Sequence, residues 1–289
     1  MKVGCVVLTT GARPVELAAA LESVRMQRDV EPVEVVVVLN APAGTPPPSV
    51  GDDVRVVTPG RNLGIPGGRN LGVAQLSAEC ELVLFLDDDG RLLGDGLLAE
   101  VVARFVAEER LAVVSLRIVD PDTGETQRRH VPRLRVGDPL RGSEVTTFLG
   151  GASIARVYAF RAAGGLPEEF FYAHEETSLA WRLLDLGYRV RYAGDLAMAH
   201  PGLPPSRHAT YFHLTARNRV LLARKHLPWV MAVLYLALWT VLTLARARGG
   251  RRASLRGFVD GLRADEVVRE PIRWRTVWRM TKAGRPPLL

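Results

Sequence analysis

Three consecutive carboxylates, Asp87, Asp88 and Asp89, close the apolar run in VLFLDDDGRL, residues 83 to 92. Read as an extended continuation of a strand, the run turns Asp87 and Asp89 to one side and Asp88 to the other. Two convergent carboxylates at the carboxyl end of a strand suit a hard divalent cation such as Mg²⁺, which leaves its other positions to substrate phosphates and water. An acidic turn open to solvent is the plainer alternative, but three acids behind a buried strand call for a positive partner. A second stretch, PGRNLGIPGGRNLGVA (59 to 74), carries Gly64, Gly67, Gly68 and Gly72, which admit close backbone approach. Pro66 is placed to start a helix there, and Arg61 and Arg69 to meet an anion beside the helix-start N–H groups. It has neither the ending of a P-loop nor a dinucleotide fingerprint after the first strand, so a structural glycine-rich turn competes. In FFYAHEETSLAWRLLDLGYRV (170 to 190), Glu175 and Glu176 open a helix. The helix dipole favours carboxylates there, as plain caps or as a base taking a proton from a substrate hydroxyl. His200 follows in a Pro-rich loop, where a structural role competes with ligation.

Continuous apolar runs at 3–8, 33–39, 54–57 and 82–86 read as strands. Helical spacing follows Pro14 at Leu17, Ala20, Leu21 and Val24, and recurs at Leu97, Leu98, Val101, Val102, Phe105 and Val106. Apolar strands alternating with amphipathic helices predict an α/β fold whose mostly parallel central sheet is flanked by helices, with ligands at the carboxyl ends of its strands. The second half reads as strands at 113–119, 146–160 and 189–193, and a helix at 175–186 stopped by Gly187.

The 289 residues are 47% hydrophobic and 24% charged, a composition that excludes a disordered chain. The basic excess is concentrated in the tail, where Arg246 to Arg285 hold eleven Arg and Lys282 against four acidic residues. Such a tail suits anionic headgroups or phosphates, or forms a solvated face. Residues 227–244, LPWVMAVLYLALWTVLTL, carry no charge and sit near the lower length limit for crossing a bilayer. Basic residues flank both ends almost equally, so charge asymmetry selects no orientation. A spanning anchor, an in-plane membrane helix and a packed helix all remain open. Two cysteines without metal or redox spacing predict buried, reduced thiols. The N-terminal apolar run is too short for a signal peptide, which predicts a cytoplasmic catalytic part.

Taken in order, VVLTTGARPVELAAALESV, VEVVVVLN, GRNLGIPGGRN, FLDDDG, the stretch FLGGASIARVYAFRAAGGLPEEFFYAHEETSLAWRLLDLGYRV and His200 resemble glycosyltransferase family 2. These are the inverting GT-A enzymes that use nucleotide-diphosphate sugars, and the likeness is to the bacterial rhamnosyl- and galactofuranosyl-type branch. It covers roughly residues 2–202. The resemblance implies a GT-A catalytic domain over 1–205, with a nucleotide-sugar half at 1–110 and an acceptor half at 111–205. A helical, basic, membrane-associating tail follows over 206–289, with its apolar helix at about 227–245. It implies that Asp87 and Asp89 form the DxD motif, with Asp89, Asp87 and His200 holding Mg²⁺ or Mn²⁺. Thr9, Asn40, Asn62, Arg69, Asn70, Asp87 and Asp88 would serve the donor, and Gly150 and Gly151 the acceptor-side strand. Glu176 would be the catalytic base, with Glu175 its rival. The acidic residue usual after the second strand is Leu39 here, beside Asn40, which leaves the nucleotide base open.

The expected activity is transfer from a nucleotide-diphosphate sugar, UDP- or dTDP-linked, to a hydroxyl of a glycan or lipid-linked acceptor in cell-envelope polysaccharide or glycolipid synthesis. The alternative is a non-catalytic sugar-nucleotide-binding or membrane scaffold protein of the same fold. The expected setting is the cytoplasmic face of the cell membrane, held peripherally, monotopically or by a single pass. A membrane surface and a homodimer are the other expected partners, and nucleic acid is not one.

Overall fold

β-branched residues, which favour extended backbone, build β1 (Lys2–Thr9), β2 (Glu34–Leu39) and β3 (Val54–Val57), and a Leu- and Phe-rich run builds β4 (Cys80–Asp87). The computed structural model describes residues 1–202, 210–246, 249–265 and 267–288. Between these strands lie α1 (Pro14–Arg25), with Pro in its first turn, and α2 (Gly64–Gln75); β5 (Arg91–Leu92), α3 (Leu97–Ala107) and β6 (Leu111–Val119) follow. The second half adds β7 (Ser143–Glu144), β8 (Ala152–Arg156), α4 (Val157–Ala162), α5 (Glu175–Asp185) and β9 (Arg189–Ala199). The tail forms α6 (Tyr211–His226), α7 (Trp229–Arg246), α8 (Arg251–Arg263) and α9 (Trp274–Lys282).

One nine-stranded sheet runs β3-β2-β1-β4-β8-β6-β9-β5, with β7 paired to β9. Ladders among β1 to β4 and between β6 and β9 are parallel, whereas β8, β5 and β7 pair antiparallel. The parallel character expected from the sequence thus describes the first half, and the inserted β8 makes the whole sheet mixed. Both faces are covered, which is why the strands are continuously apolar. Cys5, Val7, Leu84 and Leu86 face Leu17, Leu21, Leu98 and Phe105. Val6, Val36, Val83 and Phe85 face the opposite core with Val73, Phe160 and Trp181. Cys5 and Cys80 are free and buried.

Three elements depart from the sequence reading. The expected strand at 146–160 splits into β8 and α4, because the Arg156 guanidinium bonds the Leu111 and Phe105 carbonyls at 3.0 and 2.7 Å and ends the pairing there. α2 starts at Gly64 rather than at Pro66. β9 continues to Ala199, past an irregularity opposite Leu116 and Arg117, so His200 leaves the strand directly.

The tail shares the core of the sheet domain. Leu221, Leu222, Leu227, Met231, Tyr235, Ile272, Val277 and Met280 join the cluster of Phe85, Phe160 and Trp181. α7 buries Met231, Ala232 and Tyr235 while Val230, Val233, Leu234 and Val241 stay exposed. Among the described residues no helix is long and apolar enough to cross a membrane. The single-pass reading of 227–245 therefore finds no support: one side of this helix is committed to protein core.

Candidate active site

β1 and β4 are neighbours in register, Leu8 opposite Asp87, so the loops leaving their carboxyl ends face one another. They open a cleft of about 590 Å³ whose walls include Thr9, Arg13, Asn40, Asn62, His130 and Tyr172 beside the acidic triplet and His200. Asp87 is the last residue of β4, and the Gly90 N–H donates to the Asp87 carbonyl at 2.9 Å. The triplet therefore turns rather than continuing extended as the sequence reading had it, yet Asp87 and Asp89 still converge.

Each carboxylate meets a cationic side chain, and two of them share one. Arg69 Nη2 donates to Asp87 Oδ1 at 2.9 Å, while Arg13 Nη1 bridges Asp88 Oδ1 at 3.0 Å and Asp89 Oδ2 at 2.5 Å. Thr9 Oγ1 donates to Asp88 Oδ2 at 2.7 Å. His200 Nε2 lies 3.1 Å from Asp89 Oδ1 and 3.7 Å from Asp87 Oδ2, its Nδ1 directed at the Pro201 carbonyl at 2.9 Å. Burial raises the Asp88 pKa despite the Thr9 bond. Burial acts the same way on Asp89, but its His200 bond and the charge of Arg13 outweigh it and lower the pKa. Burial lowers His200, yet the Asp89 bond and both carboxylate charges raise it overall. Ligand atoms of Asp87, Asp89 and His200 lie within 4.8 Å of one another, a two-carboxylate and imidazole set that fits a divalent cation.

The glycine-rich loop is shaped by two asparagines. Asn40 Oδ1 accepts from the Leu63 N–H at 2.7 Å, its Nδ2 donates to the Gly64 carbonyl at 2.9 Å and to Asn62 Oδ1 at 3.1 Å, and Asn62 Oδ1 accepts from the Gly64 N–H at 2.8 Å. Both line the cleft. Asn70 does not. Its amide bonds Leu166 O at 2.8 Å, Glu168 Oε1 at 3.0 Å and Leu166 N at 3.0 Å, which fastens α2 to the 166–168 loop. Arg69 also stands behind the cleft, buried, with Nη1 3.5 Å from Glu176 Oε1. Arg61 makes none of the contacts that define the site.

That Asp87–Arg69–Glu176 chain needs Gly150 and Gly151. A Cβ at Gly150 would collide with the Arg69 guanidinium and the Glu176 carboxylate, and one at Gly151 with the Asp87 carboxylate. Glu175 and Glu176 open α5 after a loop in which Phe171, Ala173 and His174 take φ of 60°, 70° and 70°, a left-handed conformation costly for residues with a Cβ. The buried Asn218 amide on α6 holds that loop by donating to Phe170 O, Tyr172 O and Ala173 O at 2.7–2.9 Å. Glu175 is 1% exposed and its Oε2 has no partner. Burial raises the pKa of both acids; the neighbouring charge of Glu176 adds to the rise at Glu175, and Arg69 restrains it at Glu176.

Arg13, His130 and Asn218 escaped the sequence reading. Arg13 sits just past β1, and pairing β1 with β4 would have placed it over the triplet. His130, whose burial pulls its pKa down to about 4, packs edge-on to His200 at 6.5 Å from a segment without periodic signal.

The mixed α/β sheet flanked by helices, with an Asp-Asp-His cluster at its strand ends, matches the GT-A fold. The sequence model of glycosyl transferase family 2 matches residues 5–164, so the chain belongs to glycosyl transferase family 2. The pre-mycofactocin glycosyltransferase of Mycobacterium tuberculosis is 28% identical over 216 residues, covering 70% of this chain and 45% of the relative. The chain thus spans about half the length of that relative. Similar folds include S. aureus TarS 1-349 in complex with UDP-GlcNAc, at TM-score 0.57 and 17% identity, over 96% of this chain and 83% of that one. GalNAc-T7 with UDP, GalNAc and Mn²⁺ matches at TM-score 0.59 and 14% identity, over 90% and 55%.

Proposed function

We propose that the protein is a metal-dependent inverting glycosyltransferase. It moves a sugar from a nucleotide diphosphate, UDP- or dTDP-linked, to a hydroxyl of a glycan or lipid-linked acceptor in cell-envelope polysaccharide or glycolipid synthesis. The observation that carries this reading is the charge chain from Asp87 through Arg69 to Glu176, closed over Gly150 and Gly151. It joins a cation-binding carboxylate to a carboxylate placed to take a proton.

Glu176 receives the proton of the attacking hydroxyl. Its raised pKa brings its basicity nearer the operating pH, and Arg69 keeps the charged form accessible. Glu175 is the poorer candidate because its carboxylate is fully enclosed, whereas that of Glu176 is partly accessible. Asp89, Asp87 and His200 would hold Mg²⁺ or Mn²⁺, whose charge would offset that of a departing diphosphate. Asn40 and Asn62 fix the loop at the start of α2, and Thr9 positions Asp88. A single displacement by the acceptor oxygen inverts the anomeric centre. UDP in the TarS and GalNAc-T7 structures supports the donor class.

The working location is the cytoplasmic face of the membrane, held peripherally. Support comes from exposed Trp274 and Trp278 on α9 beside Arg275 and Lys282, and from Leu255, Val259 and Leu262 on α8 among Arg252, Arg256 and Arg263. The test is hydrolysis or transfer from UDP-, dTDP- and GDP-sugars with Mn²⁺ or Mg²⁺. Glu176→Gln should lower kcat roughly 10²–10⁴-fold. Unchanged turnover in both Glu176→Gln and Asp89→Ala would reject the mechanism.

A further inference from the structure

A second cavity, of about 360 Å³, lies where α6, α7 and α8 converge. Helical spacing on α6 brings Tyr211, Phe212, Thr215 and Arg219 to one wall, and α7 supplies Trp239 and Thr243. The Arg219 guanidinium lies 3.7 Å over the Trp239 ring and also contacts the Tyr235 hydroxyl. It forms no ion pair with a carboxylate among the described residues, and no carboxylate lines the cavity. Arg219 Nε, Thr215 Oγ1 and Thr243 Oγ1 are buried without hydrogen-bond partners. Helical threonines commonly satisfy themselves on the carbonyl one turn back, and buried polar groups are rarely left alone. Here a cation and two hydroxyls, all able to donate, lie buried and incompletely paired in the wall of one aromatic-lined cavity. That combination asks for an acceptor-rich anion, and the guanidinium fork matches phosphate oxygens in particular.

The cavity is tied to the active site through α6. Thr210, immediately before Tyr211, lines the main cleft, and Asn218 beside Arg219 holds the loop that delivers Glu175 and Glu176. On its outer side, α7 exposes Val241 next to Leu242, which lines the cavity. We propose that this cavity binds a phosphoryl group carried on an apolar chain, the head of a lipid-linked acceptor, with Arg219 as its anchor. The inference rests on the proposed transferase reading and names its acceptor chemistry.

Calorimetric titration of the full chain tests it, with three probes: farnesyl phosphate below its micellar concentration, inorganic phosphate, and UDP with Mn²⁺. Farnesyl phosphate should bind the unmodified protein, and Arg219→Gln should weaken it roughly tenfold or more, the loss of a charge-assisted partner. Thr243→Val, nearly isosteric, should weaken it in the same direction, and neither variant should alter UDP binding. Inorganic phosphate binding as tightly as farnesyl phosphate would keep the phosphoryl site and overturn its lipid source. Farnesyl phosphate that fails to bind, or binds both variants as tightly as the parent while UDP binding is intact, overturns the proposal. Retained farnesyl phosphate binding without any UDP binding would uphold this site and sink the donor reading instead.

Discussion

Arg13, together with Arg69 on Asp87, lets three adjacent acids coexist before any cation arrives. It bridges Asp88 and Asp89 at 3.0 and 2.5 Å, and both acids are nearly buried. Removing one partner of such a pair leaves uncompensated charge, so Arg13→Gln should lower the unfolding temperature. Added Mn²⁺ should restore part of the loss, which differential scanning calorimetry with and without the ion would reveal; equal melting of variant and parent in both conditions refutes this. Asp88 engages Thr9 and Arg13 rather than the cluster of Asp87, Asp89 and His200. Asp88→Asn should accordingly cost less activity than Asp87→Asn or Asp89→Asn. The triplet and His200 were legible from residue types and order. Their counter-charges were not, because Arg13 and Arg69 reach them through sheet pairing and helix packing that no local spacing encodes.

Between elements, the decisive contact is the close approach of β8's leading glycines to α2 and α5. Gly150→Ala should leave the fold recognisable by circular dichroism while displacing Arg69 and Glu176, and turnover should fall with donor affinity less affected. A KM rise at constant kcat would contradict this. The α5 start also carries a pH signature. Burial and the charge of Glu176 raise Glu175, so the stability it contributes is present at low pH and is lost as the pH rises through the raised value. Glu175→Gln should therefore melt higher than the parent on the alkaline side, with the difference shrinking as the pH falls. Strands and helices with clear periodicity were readable from the chain, α3 and α5 within a residue or two. The 146–160 segment was not, because its β-branched residues hide a strand end fixed by Arg156 reaching backbone carbonyls of α3 and β6. The resemblance gave Asn70 to the donor, but not that its amide also fastens α2 to the 166–168 loop, a contact that depends on packing distant in the chain.

Across the whole molecule, the tail is part of the catalytic core and a candidate contact surface at once. α6 fastens the loop before Glu175 and Glu176, α7 buries Tyr235 against Trp181, and α8 and α9 present Trp, Leu and Val among arginines. Replacing Trp274 and Trp278 by Ser should reduce co-sedimentation with anionic vesicles and leave neutral vesicles little affected. The hydrophobicity of 227–244 was plain in the sequence, but which side of it faced protein depended on partners far away in the chain. The most direct test of the account is single-turnover sugar release from a UDP- or dTDP-sugar in the presence of Mn²⁺, followed against pH for the parent and Glu176→Gln. The account predicts a rate in the parent that climbs with pH along a limb set above the ordinary carboxylate range, and a variant lacking that limb with a rate roughly 10²–10⁴-fold lower. A variant that keeps both the rate and the limb would contradict it.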